Sequence, residues 1–297
     1  MKSYGYSRQA ATHMIAIENL TKTYGGTRAV DGLSLEVHHG EMFGFLGPNG
    51  AGKTTTIRIL TTLTKPDSGK VSLNGFDITA QSLAVRKEFG VVQQHLSLDR
   101  ELTAWECMEL HARLHHIPAA ERKRRIADLF DYVELNKKSN QTVMELSSGM
   151  KRRLMIARAL IHRPRVLFLD EPTVGLDAQS RRRLWELIRR MNLDGTTVFL
   201  TTHYIEEAEA LCNRVGVIHN GKLIALGSPL ELRSRLGLIT VETMTDDKID
   251  YAFFPDLEAA TAYVNNLPDG IKPVAVRESN LEDIFVELTG RKVEEGV

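Results

Sequence analysis

Cysteine is nearly absent: Cys107 and Cys212 are the only two in 297 residues, and they lie far apart. Two isolated thiols provide neither a disulfide framework nor the paired spacing of a zinc site, and such usage suits a reducing cytoplasm. An excess of either charge is also missing, since Lys+Arg and Asp+Glu both number 38. Without a net field, the chain has no global electrostatic reason to seek nucleic acid or an anionic membrane surface. No apolar run approaches the ~18 residues of a membrane-spanning helix. The first 13 residues, MKSYGYSRQAATH, lack the apolar centre of a signal peptide. Internal repeats and low-complexity tracts are absent too. What is present is 42% hydrophobic and 26% charged, long enough for one large core plus an appendage. A soluble protein is expected, with 1–13 a flexible N-terminal segment.

Periodicity sketches the organisation. MIAIENLTKTYGG (14–26) alternates apolar and polar and predicts an edge strand. LSLEVHHGEMFGFLG (33–47) predicts two strands around a His-His-Gly turn, the second buried and ending in glycine. A helix is expected over TIRILTTL, a turn at PDSG (66–69), and strands at KVSLNG and FGVVQQ (89–94). From about 96 to 163 the patterns are long and helical. RVLFLDE (165–171) and TTVFLTTH (196–203) restore buried strands, and RVGVIHNGKLIALG (214–227) predicts a hairpin across Asn-Gly. After 238 the order is strand, helix, strand, helix. The expected organisation is therefore an α/β unit over 14–238, interrupted by a helical region at 96–163, with a small α+β appendage over 239–297.

Gly47-Pro48-Asn49-Gly50-Ala51-Gly52-Lys53-Thr54 satisfies G-x4-G-K-[ST] between a buried strand and a helix. Glycines let backbone N–H groups curl around a phosphate, Lys53 neutralises β/γ charge, and the Thr54 hydroxyl suits Mg²⁺. This is a nucleotide site. Four apolar residues, Val166 to Leu169, then deliver Asp170 and Glu171 to the end of a buried strand. Successive residues diverge there, so Asp170 can face a cation while Glu171 orients the attacking water. Gln94 and His203 each follow a strand, and Tyr24 precedes the loop by a hairpin's length. Singly, these three are more often structural: a turn Gln, a strand-end His and an edge-strand Tyr. ELSSGMKRRL (145–154) offers a second helix N-terminus suited to an anion.

Taken in order, Tyr24, GPNGAGKTT, Gln94, LSSGM, VLFLDEP, GLD (175–177) and TTH (201–203) resemble the full motif set of an ABC-transporter ATPase over about 14–235. The resemblance implies a P-loop NTPase core with an antiparallel β subdomain and an inserted helical subdomain. It further implies ATP and Mg²⁺ as cofactors. Tyr24 would stack on adenine, and Asn49, Gly50, Ala51, Gly52, Lys53, Thr54 and Thr55 would hold the phosphates. Thr54, Gln94 and Asp170 would hold the metal, Glu171 would act as base, and His203 would contact the γ-phosphate. In this family two cassettes stack head to tail, so Ser147, Gly149 and Asp177 would serve a second subunit's nucleotide. That accounts for a second phosphate cradle. The family's usual Ser-Gly-Gly is Ser147-Ser148-Gly149 here. The tail SNLEDIFVELTGR (279–291) resembles the daunorubicin-resistance group of drug and polysaccharide exporters, which drive a separate membrane permease from the inner face of the cell membrane.

Two other readings stand beside it: a soluble ABC ATPase acting on ribosomes or nucleic acid, and a non-hydrolysing regulatory cassette. Against the first, ERKRRI, MKRR and QSRRRLWELIRR alternate with apolar positions as solvated helix faces do, and no nucleic-acid partner is expected. Against the second, both Glu171 and His203 are retained. His111 and His115, at i and i+4, lack an evident third zinc ligand. The stretch from Gln94 to Met108 is the expected docking surface for a permease, and the appendage is expected to be separable from the site.

Overall fold

The N-terminal alternation does form strands. A computed structural model describes residues 13–245, 248–268 and 270–289, so the expected flexible N-terminus lies almost wholly outside the described residues. β1 (Ile15–Tyr24) and β2 (Thr27–Val37) pair antiparallel and bury one apolar face. β3 (Met42–Leu46) leads through the glycine-rich loop into α1 (Lys53–Leu60). β4 (Ser68–Leu73) and β5 (Phe76–Asp77) complete a four-stranded sheet in the order β2-β1-β4-β5. β1 is therefore central, not an edge strand: β2 takes one side and β4, over forty residues on, takes the other. Alternation reports a one-sided surface and says nothing about how many neighbours the strand has.

α2 (Ser82–Glu88) and β6 (Phe89–Val92) precede the helical region, which comprises α3 (Ala104–Leu114), α4 (Ala119–Tyr132) and α5 (Ser148–Leu160). Then follow β7 (Val166–Asp170), α6 (Ala178–Leu193), β8 (Thr197–Thr202) and α7 (Ile205–Leu211). β9 (Arg214–His219) and β10 (Lys222–Gly227) form the expected hairpin, with Asn220 and Gly221 both at positive φ, as a tight Asn-Gly turn requires. The main sheet runs β10-β9-β3-β8-β7-β6, parallel except for β10. β3, β7 and β8 are buried along their whole length, because both faces are covered. Phe43, Phe45, Phe168 and Phe199 pack on one face; Leu46, Leu167, Leu169 and Leu200 pack on the other with the helical region. Trp105 stacks on Phe130 within that region, half-buried, so it is chiefly a packing residue.

Both thiols are inside. Cys212 Sγ would stand 2.6 Å from a Cβ at Gly44, so that glycine makes room for it between strand and helix. Burial pushes the pKa of both Cys107 and Cys212 up. Many arginines also face inward rather than into solvent. Arg122 donates to Ile117 O, Arg125 to Ile161 O and Arg153 to Val133 O. The solvated basic faces expected from the sequence are thus partly internal clamps.

α8 (Pro229–Leu236) opens on a Ser228–Glu231 capping box with Pro229 at its first turn. Beyond it lie β11 (Ile239–Thr245), β12 (Lys248–Phe254), α9 (Leu257–Asn265), β13 (Lys272–Glu278) and α10 (Leu281–Thr289). The expected strand–helix–strand–helix order lacked β12, which pairs along β11 in a sheet ordered β12-β11-β13. Nor is the appendage detached: α10 sends Leu281, Ile284 and Phe285 into the main core cluster.

Candidate functional site

Parallel strands point their carboxyl ends the same way, and a crevice opens where neighbouring connections diverge. In this sheet β3 lies between β8 and β9, and the chain leaves β3 directly into Gly47–Thr54. Gly50 and Gly52 sit at φ 80° and 113°. A Cβ on Gly52 would lie 2.3 Å from Ala29 O, and one on Gly47 2.3 Å from Ile218 O, so neither glycine can be replaced without moving backbone. α1 begins with no side-chain cap and no acidic residue in its first turn, leaving its N–H groups and positive end for an anion.

The sheet's other carboxyl ends supply the polar groups. Lys53, 4% exposed, donates to Gly47 O at 2.6 Å and Pro48 O at 3.1 Å, and its ammonium lies 3.1 Å from Glu171 Oε1. Glu171 follows β7 at φ 47°, a left-handed turn that swings it away from Asp170. Its amide donates to the Thr201 carbonyl and hydroxyl oxygens of β8. Gln94 Nε2, just past β6, donates to Glu171 Oε2 at 3.4 Å. His203 Nδ1, just past β8, approaches that oxygen at 3.1 Å without the alignment of a hydrogen bond. Thr201 Oγ1 donates to Asp170 Oδ1 at 2.6 Å and Thr54 Oγ1 does so at 3.4 Å. The structure thus brings Lys53, Thr54, Gln94, Asp170, Glu171 and His203 together.

Electrostatics separates the two carboxyls. Burial pushes Glu171 up, but the His203 imidazole and the Lys53 ammonium outweigh it and hold the group below its ordinary range. Burial raises Asp170, against the Thr201 hydroxyl, and neighbouring Glu171 adds to the rise. Burial pulls the Lys53 ammonium down, against the upward effect of Glu171. A hydroxyl, one carboxylate and the Gln94 amide oxygen are hard oxygen donors. They suit a magnesium ion that takes its remaining ligands from phosphate and water.

Three predicted residues stand elsewhere. Ser147 caps α5 by accepting from Met150 N, and both Ser147 and Ser148 are exposed. A Cβ on Gly149 would meet Ser180 Oγ at 2.8 Å, while Asp177 caps α6 by accepting from Ser180 N and Oγ. Exposed Ser147 and Asp177, together with Gly149, which is buried against Ser180, therefore form a second group apart from the P-loop. Ser148 occupies the first turn of α5 without positive φ, so its backbone does not demand glycine. Tyr24, 46% exposed, ends β1 with Lys22 Nζ 5.4 Å from its ring centroid. Ala29, on the same hairpin, abuts Gly52. The histidine pair gains a neighbour, since His162 lies flat on His115 with centroids 4.0 Å apart. Parallel rings do not converge on an ion, and no group of three metal-binding side chains occurs among the described residues. Burial holds His111 and His162 at about 4, so both are neutral near pH 7.

A family model described as "ABC transporter" matches residues 30–174. The daunorubicin resistance ATP-binding protein DrrA3 of Streptomyces coeruleorubidus is 39% identical, over 95% of this chain and 98% of its own length. The chain belongs to the ABC-transporter ATP-binding proteins. Nod factor export ATP-binding protein I of Ralstonia nicotianae is likewise 39% identical, over 95% of this chain and 96% of its own. Among solved structures, the dimeric post-hydrolysis state of the cassette MJ0796 bound to ADP and Pi superimposes with a TM-score of 0.66. It is 29% identical and covers 72% of this chain and 98% of that one. Like other ABC cassettes, the protein binds ATP and hydrolyses it.

The motif reading of the cassette missed Arg152 and Glu207, and each had a detectable signal. Gly149, Arg152, Met155 and Ala159 share the buried stripe of α5, so Arg152 is a cation in phase with the core. Glu207 is fully buried beside Ala208 and Leu211 on α7 and accepts from Trp185 Nε1 at 3.0 Å. That bond ties the segment after His203 to the helix that Asp177 caps. Burial raises the Glu207 carboxyl, against the Thr202 hydroxyl and the Trp185 indole. A raised folded pKa gives stability that is complete below the unfolded value and is lost as pH rises through the folded one. Glu207→Gln keeps the acceptor for Trp185 but cannot ionise. Its melting midpoint should match the wild type in mild acid and exceed it in alkali, as scanning calorimetry would record. A midpoint that falls at both extremes would contradict a raised Glu207 pKa.

Proposed function

We propose that the chain is the ATPase subunit of an exporter and works as a head-to-tail pair beneath a separate membrane permease, on the inner face of the membrane. Similarity to export proteins along nearly the whole chain supports transport out of the cell. No described helix is long and apolar enough to cross a membrane, so a translocation path would have to come from another subunit. The observation that carries the pairing is the division of the motifs. The P-loop, Asp170, Glu171, Gln94 and His203 converge on the sheet's carboxyl ends, whereas exposed Ser147 and Asp177, with Gly149 packed against Ser180, form a group of their own.

In this reading the residues of Asn49 through Thr55 hold the phosphates, with Lys53 on the β/γ charge and Tyr24 against the adenine. Thr54, Gln94 and Asp170 hold Mg²⁺, which neutralises charge developing on the phosphate oxygens. Glu171 accepts the proton of the attacking water, and His203 steadies the γ-phosphate. Ser147 and the Gly149 N–H meet the γ-phosphate of the partner's ATP, with Asp177 between the two sites. Residues from Gln94 to Met108 carry the permease contact.

Mixing two defective chains tests the pairing. Lys53→Ala spoils the P-loop and Ser147→Glu spoils the second cradle, so each chain alone is inactive. Random pairing makes half the dimers mixed, each with one intact composite site, so activity absent from either chain alone should return, reaching about a quarter of the wild-type rate if the two sites work independently. A mixture as inactive as its components would contradict nucleotide sites shared between chains.

A further inference from the structure

We infer that Arg152 is a positioning residue that makes the Gln94 loop part of helix α5, so that the Ser147 end of α5 and Gln94 move as one body. The inference rests on the role given above to Gln94 and extends it. β6 ends at Val92, and the carbonyls of Gln93 and Gln94 therefore have no strand partner. Arg152 supplies it: Nη1 donates to Gln93 O at 2.8 Å and Nη2 to Gln94 O at 3.0 Å. The side chain is 4% exposed, and no carboxylate lies within ion-pair distance of it among the described residues. A buried cation without an anion costs stability, so an apolar residue would be cheaper if these carbonyls needed no holding. One planar fork spanning two successive carbonyls fixes both the position and the orientation of the loop.

A second grip on the same loop comes from the same helix. Arg158 donates to Ser97 O at 2.5 Å and to Ser97 Oγ at 2.6 Å. Residues 93–97 are thus clamped at both ends by α5. Ser147 caps α5 five residues before Arg152, about 7 Å along the axis at 1.5 Å per residue. A displacement of that end by a partner's γ-phosphate reaches the Gln94 backbone through little more than one helical turn and two hydrogen bonds. Gln94 Nε2 is in turn 3.4 Å from Glu171. The state of one nucleotide site would set the geometry of hydrolysis in the other.

A double-mutant cycle on the full chain tests it. Arg152→Met removes both bonds at similar volume, and Arg152→Lys keeps the charge but cannot span two carbonyls. Both should lower kcat, Arg152→Met by on the order of tenfold to a hundredfold, while affinity of the uncatalysed chain for a fluorescent ATP analogue stays within about twofold. Hydrogen exchange at amides 94–97 should quicken without change in β7 or β8. In a Gln94→Ala background, Arg152→Met should cost no further activity, because the residue acts through Gln94. Equal losses in both backgrounds, or an ATP affinity falling in step with kcat, would make Arg152 merely structural and overturn the inference. Gln94→Ala with unchanged kcat would instead remove the role given to Gln94, and this inference with it. A damaging Gln94→Ala beside a harmless Arg152→Met would sink the inference alone.

Discussion

Glu171→Gln yields a protein that binds ATP, hydrolyses it at least about a hundredfold more slowly, and accumulates as an ATP-bound pair. The substitution is isosteric: the amide oxygen can still accept from the Lys53 ammonium at the Oε1 position, and the new NH2, at the Oε2 position, is met once Gln94 turns its own amide oxygen toward it. What disappears is the charge. The His203 imidazole and Lys53 overcome burial to keep Glu171 ionised at neutral pH, and a carboxylate there can take a proton from water, whereas an amide cannot. If each nucleotide lies between two chains, ATP that is never cleaved holds them together, and light scattering should report the doubled mass only when ATP is present. Adding Ser147→Glu puts a carboxylate on the exposed tip of α5, where it would face a partner's γ-phosphate. Like charges brought together in a dry interface repel by several kcal/mol. The double variant should therefore stay monomeric and still bind a fluorescent ATP analogue. A dimer that survives Ser147→Glu would sink the second cradle, and wild-type phosphate release from Glu171→Gln would sink the assignment of the base.

Lys53→Ala should lose both binding and turnover, with ATP affinity down by roughly two orders of magnitude or more, about 2.7 kcal/mol. The argument turns on how much one ammonium does. Among the described residues it is the one cation that donates to both Gly47 O and Pro48 O, and it is paired with a carboxylate almost as buried as itself. Removing it takes away the charge that meets the β/γ-phosphates and leaves Glu171 partly unpaired, and breaking a buried pair from one side is costly. Lys53→Met, which refills the volume, should recover melting temperature but not affinity. Calorimetric titration of both variants separates the two effects, and near-normal ATP affinity in either would contradict the clamp.

The site was legible in sequence where backbone geometry leaves few choices. Gly50 and Gly52 need positive φ, and Gly47 and Gly52 lie against carbonyl oxygens, so the loop's identity is written in its glycines. Asp170 and Glu171 were legible because two acids ending a wholly apolar strand, which alone could be a turn, accompany a phosphate loop in the same chain. Residues whose role depends on partners remote in sequence were hidden. Arg152 looks like one more base in KRRL until the Gln93 and Gln94 carbonyls, 59 and 58 residues earlier, are placed beside it. β12 escaped notice because KIDYAFF carries its charges at one end and its aromatics at the other, and it exists chiefly through pairing with β11. α8 is different: its capping box and proline were local signals that pattern reading passed over.

The placing of the two sulfur atoms has a practical side. Alkylating reagents attack thiolates that they can reach, and neither Cys107 nor Cys212 is reachable or readily ionised. The native chain is therefore a quiet background for site-directed probes. A cysteine introduced at exposed Ser148 could carry a maleimide dye with both natural cysteines left in place, and a pair of dyes on opposing subunits would report their approach and separation through each round of ATP consumption.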